Sequence, residues 1–342
     1  MASEPTEHEI RQQVARLAEV RREVGRVIVG QTAVVDEILA TLLAGGHCLL
    51  QGVPGLGKTK LLRTLARVID LPFGRIQFTP DLMPGDIIGT ELLTETESGR
   101  RELEFQPGPV FTSLLLADEI NRTPPKTQSA LLEAMEEHRV TFAGTPHPLP
   151  EPFFVMATQN PLEQAGTYPL PEAQLDRFLM MIRIDYPTAD EELDILRRTT
   201  GGKQAEVKPV MDGADIVALQ QLVRELPISD GLLAYATRMV RATRPRDGEA
   251  TATVREYVRW GAGPRAGQAI VLAAKATALL AGRLAVTLDD IRAVALPVLR
   301  HRVILNFHAE AEQQDVERLV GHLLDEVAPP EDPLKAERAA TD

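Results

Sequence analysis

Apolar residues recur at helical intervals near the start of the chain. Ile10, Val14, Leu17, Val20 and Val24 predict an amphipathic helix over 6–26, with Thr6 and Glu9 at capping-box spacing. A second helix is expected from about Thr32 to Leu43, stopped by Gly45-Gly46. The short apolar run His47–Gln51 reads as a strand, followed by a glycine-rich turn and a helix from Lys58 to about Ile69. Further apolar runs at Arg75–Thr79, Ser113–Ala117, Phe153–Thr158 and Leu179–Ile184 suit buried parallel strands. Between them, Pro125–Glu137 sets Leu131, Leu132 and Met135 on one face of a helix that begins with proline. The alternation predicts an α/β fold built on a five-stranded parallel sheet.

Two segments interrupt that alternation and read as inserted hairpins. One is Glu91–Phe105, around Ser98-Gly99; the other is Arg139–Pro150, with turn chemistry at Gly144-Thr145-Pro146. Beyond Tyr186-Pro187 nearly everything to Glu326 reads helical, with breaks at Gly201-Gly202, Pro227, Arg244–Gly248, Gly261–Pro264 and Pro297. The expected organisation is an α/β core over 1–186, a helical lid over 187–328 and a flexible tail over 329–342.

Composition narrows the function classes. A chain of 342 residues can bury a sizeable core and divides most naturally into two domains. Its net charge of −12 opposes non-specific coating of DNA, although it leaves room for a local basic channel. The single cysteine, Cys48, lies in an apolar run, so a disulfide framework is excluded and a cytoplasmic setting is expected. The polar N-terminus lacks signal-peptide order, and the best apolar stretch, Ala269–Ala281, carries Lys275 in its middle, so no membrane span is expected. The histidines show no ligand spacing. Arg300-His301-Arg302 reads as a solvated helix face, and Tyr257 and Trp260 as lid core. Aromatics are too dispersed for a base-stacking platform, which makes nucleic acid an unlikely partner.

The chemistry begins at Gly52-Val53-Pro54-Gly55-Leu56-Gly57-Lys58-Thr59, a full match to G-x-x-x-x-G-K-[ST] between a predicted strand and a predicted helix. Glycines let backbone N–H groups converge on phosphates, and the helix that follows directs its positive end at the same anion. Lys58 is expected to neutralise β- and γ-phosphates, and the Thr59 hydroxyl to ligate Mg²⁺. Lys60 is counted with the same site. The pattern calls for ATP or GTP. The apolar strand Leu114–Ala117 ends in Asp118-Glu119, where Asp118 suits the Mg²⁺ shell and Glu119 suits a general base acting on water.

Three stretches together resemble the MoxR AAA+ ATPases: Asp118 through Glu137, Phe154-Val-Met-Ala-Thr-Gln-Asn160-Pro, and Pro171-Glu-Ala-Gln-Leu-Asp-Arg177-Phe. The resemblance runs from about Val27 to Asp289 and includes Pro264-Arg265-Ala and Gly282-Arg-Leu-Ala-Val in the lid. It implies an AAA+ core, MgATP hydrolysis at subunit interfaces, and a homo-oligomer in the form of a hexameric ring. It makes Asn160 the sensor that orients the lytic water, Arg177 the arginine finger offered to a neighbour, and Arg265 the second sensor. Gly263 stands where the family usually has serine before Pro264-Arg265. Whether Arg265 acts in cis or in trans is open, since Glu191–Thr199 has the character of an extra lid helix. Val29-Gly30-Gln31 matches the segment that holds adenine in the family. Gln77 or Thr79 is expected to couple Glu119 to the state of the substrate.

The favoured function is ATP-driven, chaperone-like remodelling, maturation or activation of protein partners. In the family those partners include von Willebrand factor A domain proteins. The two hairpins are the expected contact surface. Alternatives are the ATPase subunit of a metal chelatase, a DNA motor, and a nucleotide switch that does not hydrolyse. The complete set Glu119, Asn160 and Arg177 opposes the last.

Overall fold

The computed structural model of the chain describes residues 7–95, 101–160, 166–201 and 205–330. Thr6 of the expected capping box, the Ser98-Gly99 turn and most of the expected tail lie outside them. Helices α1 (Glu7–Gly25) and α2 (Thr32–Leu43) lead into β1 (Cys48–Gln51), α3 (Lys58–Val68) and β2 (Phe73–Gln77). After the short α4 (Pro84–Ile88), a hairpin of β3 (Gly89–Glu95) and β4 (Arg101–Pro107) precedes β5 (Leu114–Asp118), a 3-10 turn at Ile120–Arg122, and α5 (Pro125–Glu137). A second hairpin, β6 (Arg139–Phe142) with β7 (Thr145–Pro148), is followed by β8 (Phe154–Gln159), α6 (Glu172–Leu175), β9 (Met180–Arg183), α7 (Ala189–Thr199) and α8 (Gly213–Glu225).

The five-stranded sheet has the order β2-β5-β8-β1-β9, with parallel pairing of β2 to β5, β5 to β8 and β8 to β1. Leu114, Leu115, Leu116 and Ala117 of β5 are buried, as are Phe154 through Ala157 of β8. Strands this apolar are stable only when both faces are covered, which the crossover helices accomplish. Leu17, Val20 and Val24 of α1 are fully buried, as their spacing requires. Strand β2 begins two residues earlier than its apolar pattern suggests. It is an edge strand with only Ile76 buried, so pairing with β5 sets its limits: Leu114 N–H donates to Pro72 O at 2.9 Å and Phe73 opposes Leu114.

The second hairpin turns through Ala143 and Gly144, both at positive φ (47° and 82°), one residue before the expected turn. Phe142 pairs with Thr145, and a two-residue loop of that hand matches strand twist. The two hairpins meet through Phe105, which stacks on His147 with centroids 4.2 Å apart and lies 5.0 Å from the Phe142 ring.

The chain forms two compact units, Met1–Phe178 with Ile182–Gln220, and Leu179–Met181 with Gln221–Asp342. The division therefore falls at Gln220 and not near 186. Residues 205–220 are held by the first unit. Arg16 donates to Val210 O at 2.6 Å and pairs with Asp215 at 2.7 Å, and Gln220 donates to Leu42 O at 2.8 Å.

The second unit contains α9 (Asp230–Ala242), α10 (Ala252–Tyr257), β10 (Val258–Trp260), α11 (Pro264–Leu280), α12 (Leu288–Leu299), β11 (Ile304–Leu305), α13 (Phe307–Ala311) and α14 (Val316–Glu326). Side-chain caps from Ser229, Thr251, Asn306 and Asp315 start four of the helices. Three expectations are corrected here. Pro297 lies inside α12, close enough to its end that the helix continues to Leu299. Trp260 is 63% exposed, because the register shifts between Val258 and Trp260 and turns the indole away from the core. His301 and Arg302 are buried rather than solvated; Arg302 donates to Leu179 O and Val298 O, and Arg300 donates to Met181 O.

Candidate functional site

The loop Gly52–Gly57 joins the end of β1 to the first turn of α3. Gly52 is required by packing, since a Cβ there would meet Ile184 O at 2.8 Å. Gly55 and Gly57 have φ of 88° and 79°, and an added Cβ at either would enter open space beside the loop. Those two glycines leave a backbone cradle in front of the α3 N-terminus, which suits an anion. Val53 and Leu56 are partly exposed, and Pro54 is exposed. Lys58 donates to Gly52 O at 2.5 Å. Burial draws its ammonium below the ordinary lysine value, and the charges of Asp118 and Glu119 oppose that shift. Gln31, at φ 55°, caps α2 and donates its amide to Leu56 O at 3.2 Å, tying the Val29–Gln31 segment to the loop. Gly30 has φ of 64°, and a Cβ there would lie 2.2 Å from Glu191 Oε1 of α7.

Parallel register brings the acids to the same edge. Gln77 of β2 opposes Asp118 of β5, Ala117 opposes Ala157 of β8, and Gln51 of β1 opposes Gln159 of β8. Asp118 accepts from the Thr158 hydroxyl at 2.6 Å and from Arg75 at 2.8 Å. The same Thr158 oxygen accepts from the Glu119 backbone N–H at 2.8 Å. Glu119 leaves the strand at φ 58°, a left-handed conformation that turns the chain into the 3-10 segment. Its Oε2 accepts from Gln77 Nε2 at 2.9 Å and from Arg122 at 3.0 Å. Of the two candidates for coupling, it is Gln77 that reaches Glu119, while Thr79 bonds Asp81. Asn160 is buried one residue beyond β8, beside Gly52, whose N–H points to Gln159 O at 3.5 Å.

Lys58, Thr59, Asp118, Glu119 and Asn160 are thus gathered at the C-terminal ends of β1, β5 and β8. Sequence reasoning missed Arg75, Arg122 and Thr158. Thr158 had one available signal, a hydroxyl in an otherwise apolar strand. Arg177 is held elsewhere in the same unit. It follows α6 and pairs with Glu136 of α5 at 3.1 Å, rather than with Asp176 or Glu172. Arg265 belongs to the second unit, exposed in the first turn of α11 behind Gly263 and Pro264.

Comparison with known proteins adds independent findings. A model of the ATPase family associated with various cellular activities (AAA) matches residues 47–180, and a model of the AAA lid domain matches residues 250–322. Chaperone MoxR1 of Mycobacterium tuberculosis is 45% identical over 90% of this chain and 81% of its own length. Protein MoxR of Paracoccus denitrificans is 33% identical over 91% of this chain and 94% of its own. The crystal structure of a putative ATPase from Cytophaga hutchinsonii superposes with a TM-score of 0.88 at 41% identity, covering 95% of this chain and 98% of that one.

Proposed function

Because the chain belongs to the MoxR-type AAA+ ATPases and is an ATP hydrolase, we propose that it assembles head to tail as a hexameric ring that remodels or matures partner proteins. A chaperone-like role accords with its relatives. The observation that supports the assembly is that Glu119 and Arg177 have different partners within one unit: the base is bonded by Gln77 and Arg122, the guanidinium by Glu136.

In this reading the amides of Val53–Lys58 and the Lys58 ammonium bind the phosphates, and Gly30, Gln31 and Lys60 lie toward the base and ribose. Thr59 and Asp118 would hold Mg²⁺, which when bound neutralises charge on the transferred phosphoryl group. Glu119 takes the proton of the attacking water, and Asn160 orients that water without adding charge. Arg177 completes a neighbour's site, and Arg265 is the second sensor, serving either its own subunit's site or a neighbour's. The exposed leucines of the first hairpin, Leu92, Leu93 and Leu103, offer an apolar contact for the partner. A partner carrying a von Willebrand factor A domain fits the family expectation. That apolar hairpin suits a protein better than DNA.

Mixing variants tests the reading. Glu119→Gln and Arg177→Ala chains should each bind ATP and hydrolyse it poorly. Their equimolar mixture should recover activity, since an intact base in one chain then meets an intact finger in the other. Fully active Arg177→Ala alone, or no recovery on mixing, would refute action in trans.

A further inference from the structure

One buried side chain bonds the backbone on the way to both Glu119 and Arg177. Gln128 stands near the start of α5 and is fully buried. It shares a helix face with Leu131, Leu132 and Met135, all buried and apolar. Its Nε2 donates to Ile120 O at 3.2 Å, to Thr123 O at 3.1 Å and to Tyr168 O at 3.1 Å. A primary amide has two N–H groups, so one of them is shared between two carbonyls. Three converging carbonyls also fix which end of the amide faces them, because a flipped Oε1 would meet only acceptors. Oε1 accepts no hydrogen bond among the described residues. An apolar side chain would fill this position without burying that oxygen, so the amide is explained by what its nitrogen holds.

The three carbonyls belong to two segments. Ile120 and Thr123 bracket the 3-10 turn that follows Glu119. The φ of 58° at Glu119 is uncommon for a residue with a side chain, and neighbouring bonds must impose it. Thr158 holds the Glu119 N–H on one side, and Gln128 holds the Ile120 carbonyl on the other. Tyr168 lies on the segment that runs through buried Leu170 into α6 and on to Arg177. The Arg177 N–H donates to Gln174 O at 3.2 Å, so its backbone follows that helix. Tyr168 N–H donates to Asn121 O at 2.7 Å, a second tie between the two segments. The anchor itself is firm. Gln128 N–H donates to Pro124 O at 3.2 Å, and the Thr127 hydroxyl donates to Leu82 O at 2.9 Å.

We propose that Gln128 is a positioning residue for hydrolysis, whose single amide fixes both the turn that aims Glu119 and the arm that presents Arg177. The base serves the chain's own site and the guanidinium a neighbour's. One side chain thereby sets the placement of what the chain contributes to two sites. A carboxamide moves no proton, so Gln128 acts only through Ile120, Thr123 and Tyr168. Misplacing a reacting group by about 1 Å slows a reaction by about 10², so a loosened hold at either segment is costly. The half of the proposal that concerns Arg177 rests on its action in trans.

Gln128→Met keeps the volume and deletes the donors. Circular dichroism and sedimentation check that the variant folds and assembles like the parent. Its affinity for ATP should stay within about threefold, because the phosphate loop is untouched, while kcat falls at least about tenfold. Gln128→Asn, with its amide one methylene short, should lie between the two, and serves alone should methionine prevent folding. Mixing then asks which groups are misplaced. Beside Arg177→Ala chains the Gln128 variant must supply the finger, and beside Glu119→Gln chains it must supply the base. Neither mixture should recover turnover. Recovery with either partner would show one group correctly placed and would overturn the shared clamp, as would a folded variant with parental kcat. The Glu119→Gln and Arg177→Ala mixture separates the two readings. No recovery there would refute action in trans and the Arg177 half with it. Recovery there beside recovery in a Gln128 mixture would condemn the clamp alone.

Discussion

The side-chain amide of Gln77 donates to Oε2 of Glu119 at 2.9 Å, across the register that sets β2 beside β5. Arg122 donates to the same oxygen. An oxygen already accepting from two donors is poorly placed to take a proton from water. Gln77→Ala should therefore raise basal ATP turnover several-fold and blunt any further stimulation by a protein partner. Steady-state turnover with and without partner measures this; unchanged basal turnover would make the bond incidental.

Glu119→Gln keeps the shape and removes the base. ATP binding should persist while turnover falls by roughly 10²–10⁴. Single-turnover assays beside equilibrium nucleotide binding separate the two effects. Loss of binding would point to a structural role for the carboxylate.

The Thr158 hydroxyl bridges Asp118 and the Glu119 amide, orienting the proposed metal-binding acid. Thr158→Val preserves volume but deletes the bridge. The magnesium concentration for half-maximal hydrolysis should rise several-fold, with ATP binding in excess EDTA unaffected. An unaltered magnesium titration would remove Asp118 from the metal site or Thr158 from its support.

Replacing Leu92, Leu93 and Leu103 by serine removes exposed apolar surface outside the Phe105–His147 contact. ATPase activity should stay within about twofold, since no catalytic group is touched, while action on the partner is lost. Remodelling that survives intact would move partner contact away from the first hairpin.

His47 links stability to pH. Its Nδ1 accepts from Val155 N–H at 3.1 Å, so its Nε2 carries the proton that goes to Met135 O. Burial lowers its pKa from 6.5 to about 4. The unfolded chain thus binds more protons between those values, and stability falls as pH drops through that window. By pH 5 the loss relative to pH 7.5 should be about 2 kcal/mol. His47→Gln should start less stable at pH 7.5, and its deficit against the parent should shrink by pH 5. Parallel melting curves for the two proteins across that range would exclude His47 as the source.

Some features were legible because the residues that make them are contiguous. Gly52–Thr59 needs its glycines, lysine and threonine within one turn, so eight letters carry the whole chemistry. The span of α2 was equally plain, since its apolar spacing and the Gly45-Gly46 stop act locally. The bulge at Trp260 was invisible, because it depends on pairing with a strand more than forty residues away.

By itself, the sequence determined the phosphate loop, the paired acids, the alternation that builds a parallel sheet, and the helical character of the second unit. These are properties of neighbours along the chain or of a fixed repeat. Only the tertiary structure decided that Arg75 and Thr158 hold Asp118, that Gln77 and not Thr79 reaches Glu119, that Arg177 pairs with Glu136, and that Ile182–Gln220 belongs with the first unit. Those partners lie on different elements, and strand register and helix packing, which bury the apolar faces of all of them at once, settle which side chains meet.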